Sequence, residues 1–312
     1  MNPPDPATGQ PPAPSPGTPL RCAVVVNPAR VPDLDARQRA IETELAEAGW
    51  PAPSWWETTP QDPGTGQARR AVEQGAQIVF VCGGDGTVRA VIAGLVGGDA
   101  TLAVLPAGTG NLLATNLDLP ADPAQGVRVV IAGGRRGLDV GQAEGKVFAV
   151  MAGMGFDAAM MDDASDRWKA RIGPIAYVFS AVQHLRDRPM RLEIQIDGFE
   201  SLRCLARSVL VGNVGQLQGG VRLLPDAEPD NGVMEVAILQ PRNLGHWVQL
   251  AAAVVLRRTR VPKMMILRGS RIRIVSDRPQ PRQLDGDVIE SAATLDITVL
   301  PCGIRMCVPQ PH

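Results

Sequence analysis

From residue 21 onward, apolar positions fall into short continuous runs separated by helical stripes. The runs at 21–26, 53–58, 77–82 and 101–105 read as buried strands. Between them, apolar residues recur at three- and four-residue spacing, the mark of an amphipathic helix. In 34–48 that face is Leu34, Gln38, Ile41, Leu45 and Ala48, and Gly49 is the stop. The same spacing predicts helices over 66–74, 87–97, 110–117 and 123–133. Short strands alternating with helices predict a doubly wound parallel α/β sheet covered on both faces. Beyond 136 the texture changes. Strand-like stretches occupy 137–155 and 189–213, with Asp197-Gly198 as a hairpin turn, and recur at 233–239, 264–276 and 293–308. Helices are predicted near 172–186 and 243–258. The expected organisation is a disordered Pro-rich tail over 1–19, an α/β domain over 20–136 and a β-rich, sandwich-like domain over 137–312. The last strand is free to return to the first domain, and a cleft between the two is the expected site.

Chemistry concentrates where predicted strands end. Residues 79–95 run from an apolar strand through Gly83, Gly84, Asp85, Gly86 and Thr87 into a helix carrying Val88, Val91, Ile92, Leu95 and, just beyond, Val96 on one face. Glycines let backbone approach a ligand and take positive φ, and free amides at a helix start favour an anion. Asp85 could hold a magnesium-bound water or the threonine. The bland alternative is a steric βα turn. A P-loop is excluded, because the only lysines are Lys146, Lys169 and Lys263, and Val88 breaks a G-x-G-x-x-G pattern. A second strand enters Gly108-Thr109-Gly110-Asn111 and a helix, and a third ends in Asn27-Pro28. Strand ends of this kind can share one ligand at the carboxyl edge of a parallel sheet.

Asn27-Pro28, Gly83 to Thr87 and Pro106 to Asn111 resemble the nucleotide-binding motifs of the diacylglycerol kinase catalytic-domain family, which includes bacterial soluble lipid kinases and the sphingosine and ceramide kinases. The likeness continues through Ala152 to Ala158, Leu224-Pro225-Asp226-Ala227, Asp230 to Glu235 and Leu284-Asp285-Gly286-Asp287, in order over roughly 21–308. It implies a two-domain fold of the NAD kinase/diacylglycerol kinase type. It also implies an enzyme that transfers the γ-phosphoryl group of ATP, with Mg2+, to the hydroxyl of diacylglycerol or a related lipid alcohol. Asn27, Gly84 to Thr87 and Thr109 would hold nucleotide, with Thr58 or Thr59 on the rim. In the family the acidic residue after the late Asp-Gly accepts the proton and is usually glutamate. Here it is Asp287, so either Asp287 acts at shorter reach or Asp285 takes the role; locally, Asp-Gly reads as a hairpin turn. A structural Mg2+ would sit on Glu228, Asp230, Asn231 and the carbonyl of Val233, with Asn231 where a second aspartate is common. Arg89 stands in place of a common Asn, as a phosphate contact or, preferably, a solvated residue. An NAD kinase-like enzyme and a non-catalytic nucleotide- or lipid-binding homologue are the alternatives.

Composition narrows the rest. Net charge is −1 and aromatic residues are 4%, which gives nucleic acid neither a field nor a stacking platform. Five cysteines without a C-x-x-C pair read as reduced thiols of a cytoplasmic protein. Three histidines leave little material for a triad or zinc site. The longest apolar run, near 250–256, is too short to span a bilayer. A lipid substrate would be met by transient contact at the inner membrane face. Met151, Met154, Met160 and Met161 suit an acyl tunnel or, more commonly, a core. Both a monomer and a homodimer are compatible with the sequence.

Overall fold

The computed structural model describes residues 18–107, 111–155, 188–217, 221–241, 245–246 and 264–310. The tail up to residue 17, the helix predicted near 172–186 and all but 245–246 of the one predicted near 243–258 lie outside the described residues. The chain divides into two units: one ends at Val140 and takes the chain back from Pro301, and the other spans Gly141–Leu300.

In the first unit, β1 (Cys22–Val26), β2 (Ser54–Glu57), β3 (Ile78–Gly83) and β4 (Thr101–Pro106) are parallel, in the order β2-β1-β3-β4. The end of β16 (Asp287–Cys307) adds a fifth parallel strand through Arg305 and Met306 beside β4. The helices are α1 (Leu34–Glu47), α2 (Thr65–Glu73), α3 (Asp85–Leu95), α4 (Leu112–Asn116) and α5 (Pro123–Ile131). Both faces of the sheet are apolar, as a doubly wound sheet requires. Val24, Phe80 and Leu105 pack with Ile41 and Leu45 of α1 and Val127 and Val130 of α5. Each such fully buried side chain contributes about 1.5–3 kcal/mol. Thr65 donates its hydroxyl to the Ala90 carbonyl at 2.8 Å, hooking α2 onto α3. Gly94 permits that approach, because a Cβ there would lie 2.6 Å from the Thr65 carbonyl oxygen.

In the second unit the strands are antiparallel. They are β6 (Lys146–Phe148), paired with the end of β5 (Arg135–Ala143), then β7 (Met151–Gly155), β8 (Met190–Ile196), β9 (Leu202–Ala206), β10 (Ser208–Gly212), β13 (Met234–Leu239), β14 (Met264–Gly269), β15 (Arg271–Leu284) and β16, with a small ribbon of β11 (Gln216–Leu217) and β12 (Val221–Arg222). Phe148, Met154, Met190, Val236, Ile274 and Leu295 belong to its core. The predicted strand over 137–155 is three strands, broken by Glu144-Gly145 at φ 52° and 72° and again at Ala149-Val150. The stretch 189–213 turns at Asp197-Gly198, where the Phe199 amide closes on the Ile196 carbonyl at 2.9 Å. It breaks again at Arg207, because β9 pairs with β8 whereas β10 pairs with β7 and β13.

The largest departure from the pattern lies at 264–308. The predicted strand over 264–276 stops at Gly269 and resumes as β15, which continues to Leu284 through Pro279 and Pro281. Proline cannot donate to a ladder and reads as a breaker. Here both prolines fall among the register shifts between Val275 and Arg282, between the stretch paired with β8 and the stretch paired with β7. β15 and β16 then join through Asp285-Gly286, with φ 48° and 87°, as a two-residue hairpin closed by the Leu284–Asp287 pair.

Candidate active site

In the order β2-β1-β3-β4, the chain leaves β1 in one direction and returns on its other side at β3, so the topological switch lies between the ends of those two strands. Asn27 and Gly84 stand there. The Asn27 amide donates to the Cys82 carbonyl at 2.9 Å, and its side-chain Nδ2 donates to Thr87 Oγ1 at 3.2 Å. Its Oδ1 accepts from Ala29 at 3.1 Å, folding the exposed Pro28 into a turn.

Helix α3 starts at Asp85, two residues before the predicted start at 87, and its N-cap Gly84 offers no side-chain cap. As at any helix start, the first-turn amides of Gly86 and Thr87 have no preceding turn of the helix to donate to. Asp85 Oδ1 accepts the amide of Leu112, the first residue of α4, at 2.8 Å. One carboxylate thus ties the start of α3 to the loop that follows β4. Asn111 caps α4 by accepting the Ala114 amide at 3.0 Å. Its Nδ2 is buried without a hydrogen-bond partner among the described residues, a donor suited to a phosphate or ribose oxygen. Gly108, Thr109 and Gly110 lie outside the described residues.

The glycines divide by cause. None of Gly83, Gly84 and Gly86 takes a positive φ, so the expectation of left-handed backbone fails here. Gly83 is steric: a Cβ would sit 2.7 Å from Thr87 Cβ. Gly84 is different, because a Cβ there would meet nothing within 4 Å and its φ of −86° suits any residue. What a side chain at 84 would fill is open space above the uncapped helix start. Gly84→Ala is therefore expected to shift Tm by less than about 2 °C and, for the ATP that the family resemblance implies, to raise KM at least roughly 10-fold, about 1.4 kcal/mol of lost contact. Thermal melts beside ATP-dependent kinetics check it; equal KM values would make Gly84 a mere turn residue.

Of the two rim threonines, Thr58 is buried and its amide donates to the Val26 carbonyl at 2.9 Å. Thr59 is exposed, and its hydroxyl accepts the Asp62 amide at 3.1 Å. Asp62 in turn accepts the amides of Gly64 and Gly66, ordering the entry to α2. Arg37 escaped the sequence reading. Its guanidinium donates to the carbonyls of Leu105 and Pro106 at 3.4 and 3.2 Å, bracing the end of β4. Burial pushes the neighbouring Cys82 thiol up to about 11, with Arg37 pulling the other way. An arginine on α1 reads as a surface residue, so no local signal marks it. Arg89 is half-buried rather than solvated.

In the second unit, Asp285 and Asp287 separate at the hairpin. Asp285 turns its carboxylate onto the amides of Ala149, Val150 and Met151 at 2.8, 2.9 and 2.9 Å. Asp287 is exposed and opens β16. The oxygens of Glu228, Asp230 and Asn231 suit a hard cation in kind, and all three residues are exposed. In number they fall short. Asn231 Oδ1 accepts the Val233 amide at 3.1 Å, and Asp226 pairs with Arg268 at 3.1 Å. Among the described residues no three His, Cys, Asp or Glu side chains cluster as metal ligands. No catalytic step is assigned to a metal at this loop. Arg268, which also pairs with the buried Glu235 at 2.7 Å, anchors it instead. Removing Mg2+ with EDTA is accordingly expected to lower Tm by less than about 2 °C, since a site with Kd near the Mg2+ concentration stabilises by only about 0.4 kcal/mol.

Comparison with known proteins agrees with this architecture. Residues 21–143 match the diacylglycerol kinase catalytic domain, and residues 149–308 match the YegS C-terminal NAD kinase beta sandwich-like domain. The chain is 28% identical over 276 residues to a diacylglycerol kinase of Bacillus subtilis, covering 86% of this chain and 89% of that one. It is 27% identical to one of Staphylococcus carnosus, covering 86% and 88%. A crystal structure of a diacylglycerol kinase from Bacillus anthracis superposes with TM-score 0.72 at 20% identity, covering 92% and 96%. An ATP complex of an NAD kinase from Archaeoglobus fulgidus shares the fold more distantly, with TM-score 0.53 at 13% identity. With both halves matched in order, the chain belongs to the diacylglycerol kinase catalytic-domain family and carries its YegS-type C-terminal domain.

Proposed function

We propose that this chain is an ATP-dependent lipid kinase acting on diacylglycerol or a related lipid alcohol to give phosphatidic acid or the corresponding lipid phosphate. The observation that carries the nucleotide half is the joined rim: Asn27 bonded to Thr87, and Asp85 bonded to the start of α4, around an uncapped helix start. Such a rim offers amides and a dipole to the phosphates. Thr58, Gly108, Thr109 and Gly110 complete it in this reading. Mg2+ carried on the ATP phosphates neutralises their charge. Asn27 and Asn111 orient the nucleotide through their side-chain amides. Asp287 accepts the proton of the lipid hydroxyl as its oxygen attacks the γ-phosphorus. The new P–O bond forms on the lipid while the bond to the β-phosphate oxygen breaks, releasing ADP. Asp285, spent on three amides, is the weaker candidate for that proton. Glu228, Asp230, Asn231 and the Val233 carbonyl remain the proposed position of a weak structural Mg2+.

The lipid half rests on the family. No helix among the described residues is long and apolar enough to cross a membrane, so the lipid is met at a membrane surface in this reading. The test is transfer from γ-labelled ATP with Mg2+ to diacylglycerol, ceramide and sphingosine in mixed micelles, with NAD offered in parallel. Label in an organic-phase lipid phosphate is the expected result. Label in NADP would overturn the lipid reading, and binding of ATP without any product would leave a non-catalytic homologue.

A further inference from the structure

The segment Ala149-Val150-Met151 has every backbone polar group accounted for by two residues distant in sequence. Its three amides all point at the carboxylate of Asp285: Ala149 to Oδ2, Val150 and Met151 to Oδ1. Its three carbonyls are taken as completely. The Met151 carbonyl accepts the Asp285 amide at 2.8 Å, and the Val150 carbonyl accepts the Asn213 amide at 2.9 Å. The Ala149 carbonyl accepts Asn213 Nδ2 at 3.0 Å. Successive amides converging in this way form an anion nest, and here the anion is the protein's own carboxylate.

The sheet explains why these residues meet. β10 and β15 both run antiparallel to β7, flanking it, with Gly212 opposite Met151 and Leu284 opposite Ala152. Asn213 and Asp285 are the next residue of each flanking strand, so both arrive beside 149–151. Asn213 is 1% exposed, and Gln283 on the far side of Leu284 is fully buried. Gln283 Oε1 accepts the Gly286 amide at 2.8 Å, so the turn after Asp285 is held as well.

We infer that Asn213 and Asp285 are positioning residues for the phosphoryl transfer: they clamp 149–151 into a rigid socket that fixes the Asp285-Gly286 turn and thereby aims Asp287 at the lipid hydroxyl. Asp287 is the second residue after the socketed carboxylate, and its backbone leaves the turn through Gly286, the amide held by Gln283. A proton acceptor must sit within hydrogen-bond reach of the hydroxyl. Displacing a reacting group by about 1 Å costs on the order of 100-fold in rate. This role rests on the lipid-kinase reading above.

The test compares Asp285→Asn, Asn213→Ala and Asp287→Asn in the full chain, by kinetics on ATP and diacylglycerol and by hydrogen exchange of peptides covering 149–151. Asparagine tolerates the φ of 48° at position 285, so Asp285→Asn changes the acceptor set and not the backbone. Expected for Asp285→Asn is kcat reduced about 10- to 100-fold with KM for ATP within about threefold, and faster exchange at 149–151. Asn213→Ala should show the same pattern at smaller size, about 3- to 10-fold, because its backbone bond to Val150 survives. Faster exchange with unchanged kcat in the folded fraction would make the clamp structural only and overturn the inference. Loss of kcat in Asp285→Asn equal to that in Asp287→Asn, with exchange unaltered, would make Asp285 a reacting group and overturn it too. A wild type with no turnover on any acceptor overturns the kinase reading, and the positioning role falls with it; exchange at 149–151 still separates that outcome from misfolding.

Discussion

Asp85→Ala is expected to raise the KM for ATP by roughly 10- to 140-fold while leaving the chain folded. The cause is what Asp85 touches. Its carboxylate accepts the Leu112 amide at 2.8 Å and lies in the first turn of α3. A hydrogen bond to a charged group contributes about 1.5–3 kcal/mol. About 1.4 kcal/mol corresponds to tenfold in affinity. The loss should appear in ATP binding because the two loops joined by Asp85 are the two that close on the nucleotide in this account. Asp85→Asn keeps an acceptor oxygen for Leu112 and loses the charge, so it should recover part of the defect. Initial rates across ATP concentrations, with a melt to confirm folding, decide it. A kcat defect at unchanged KM would place Asp85 in the chemistry rather than in the hold.

Asp287→Asn should do the opposite. Loss of a general base costs about 100- to 10,000-fold in kcat, and nothing in the nucleotide hold changes, so KM for ATP should stay within about threefold. The shortened acidic side chain gives a second arm. Asp287→Glu restores the length usual in the family and keeps a carboxylate, so it should retain at least roughly a tenth of wild-type kcat. A fully active Asp287→Asn would remove Asp287 from the reaction.

The first unit was legible because its strands are short continuous apolar runs and its helices carry one apolar stripe. Val24, Phe80 and Leu105 mark buried strands, and Ile41 and Leu45 mark the face of α1. Boundaries were less legible: α3 begins at Asp85 because Gly84 serves as its N-cap, and neither residue belongs to the apolar stripe. The second unit hid more. Glu144-Gly145 makes a hairpin turn that local composition marks weakly, and β15 runs through two prolines by shifting register at them. The least visible features are contacts between residues far apart in sequence. Arg37 meets Leu105 68 positions away, and Asp285 meets Ala149 136 positions away. Periodicity and local motif report neighbours in the same element, so an aspartate in an Asp-Gly turn looks the same whether its carboxylate faces water or fills a nest. The Asp-Gly turn was readable; what its side chain does was not.

The most direct test of the account is the kinetic split measured in one experiment: initial rates of labelled phosphatidic acid formation from ATP and diacylglycerol, with wild type, Asp85→Ala and Asp287→Asn side by side. The account predicts product with the wild type, a defect confined to the KM for ATP in Asp85→Ala, and a defect confined to kcat in Asp287→Asn. Wild-type rates in both variants, or label appearing in NADP and not in lipid, would contradict it.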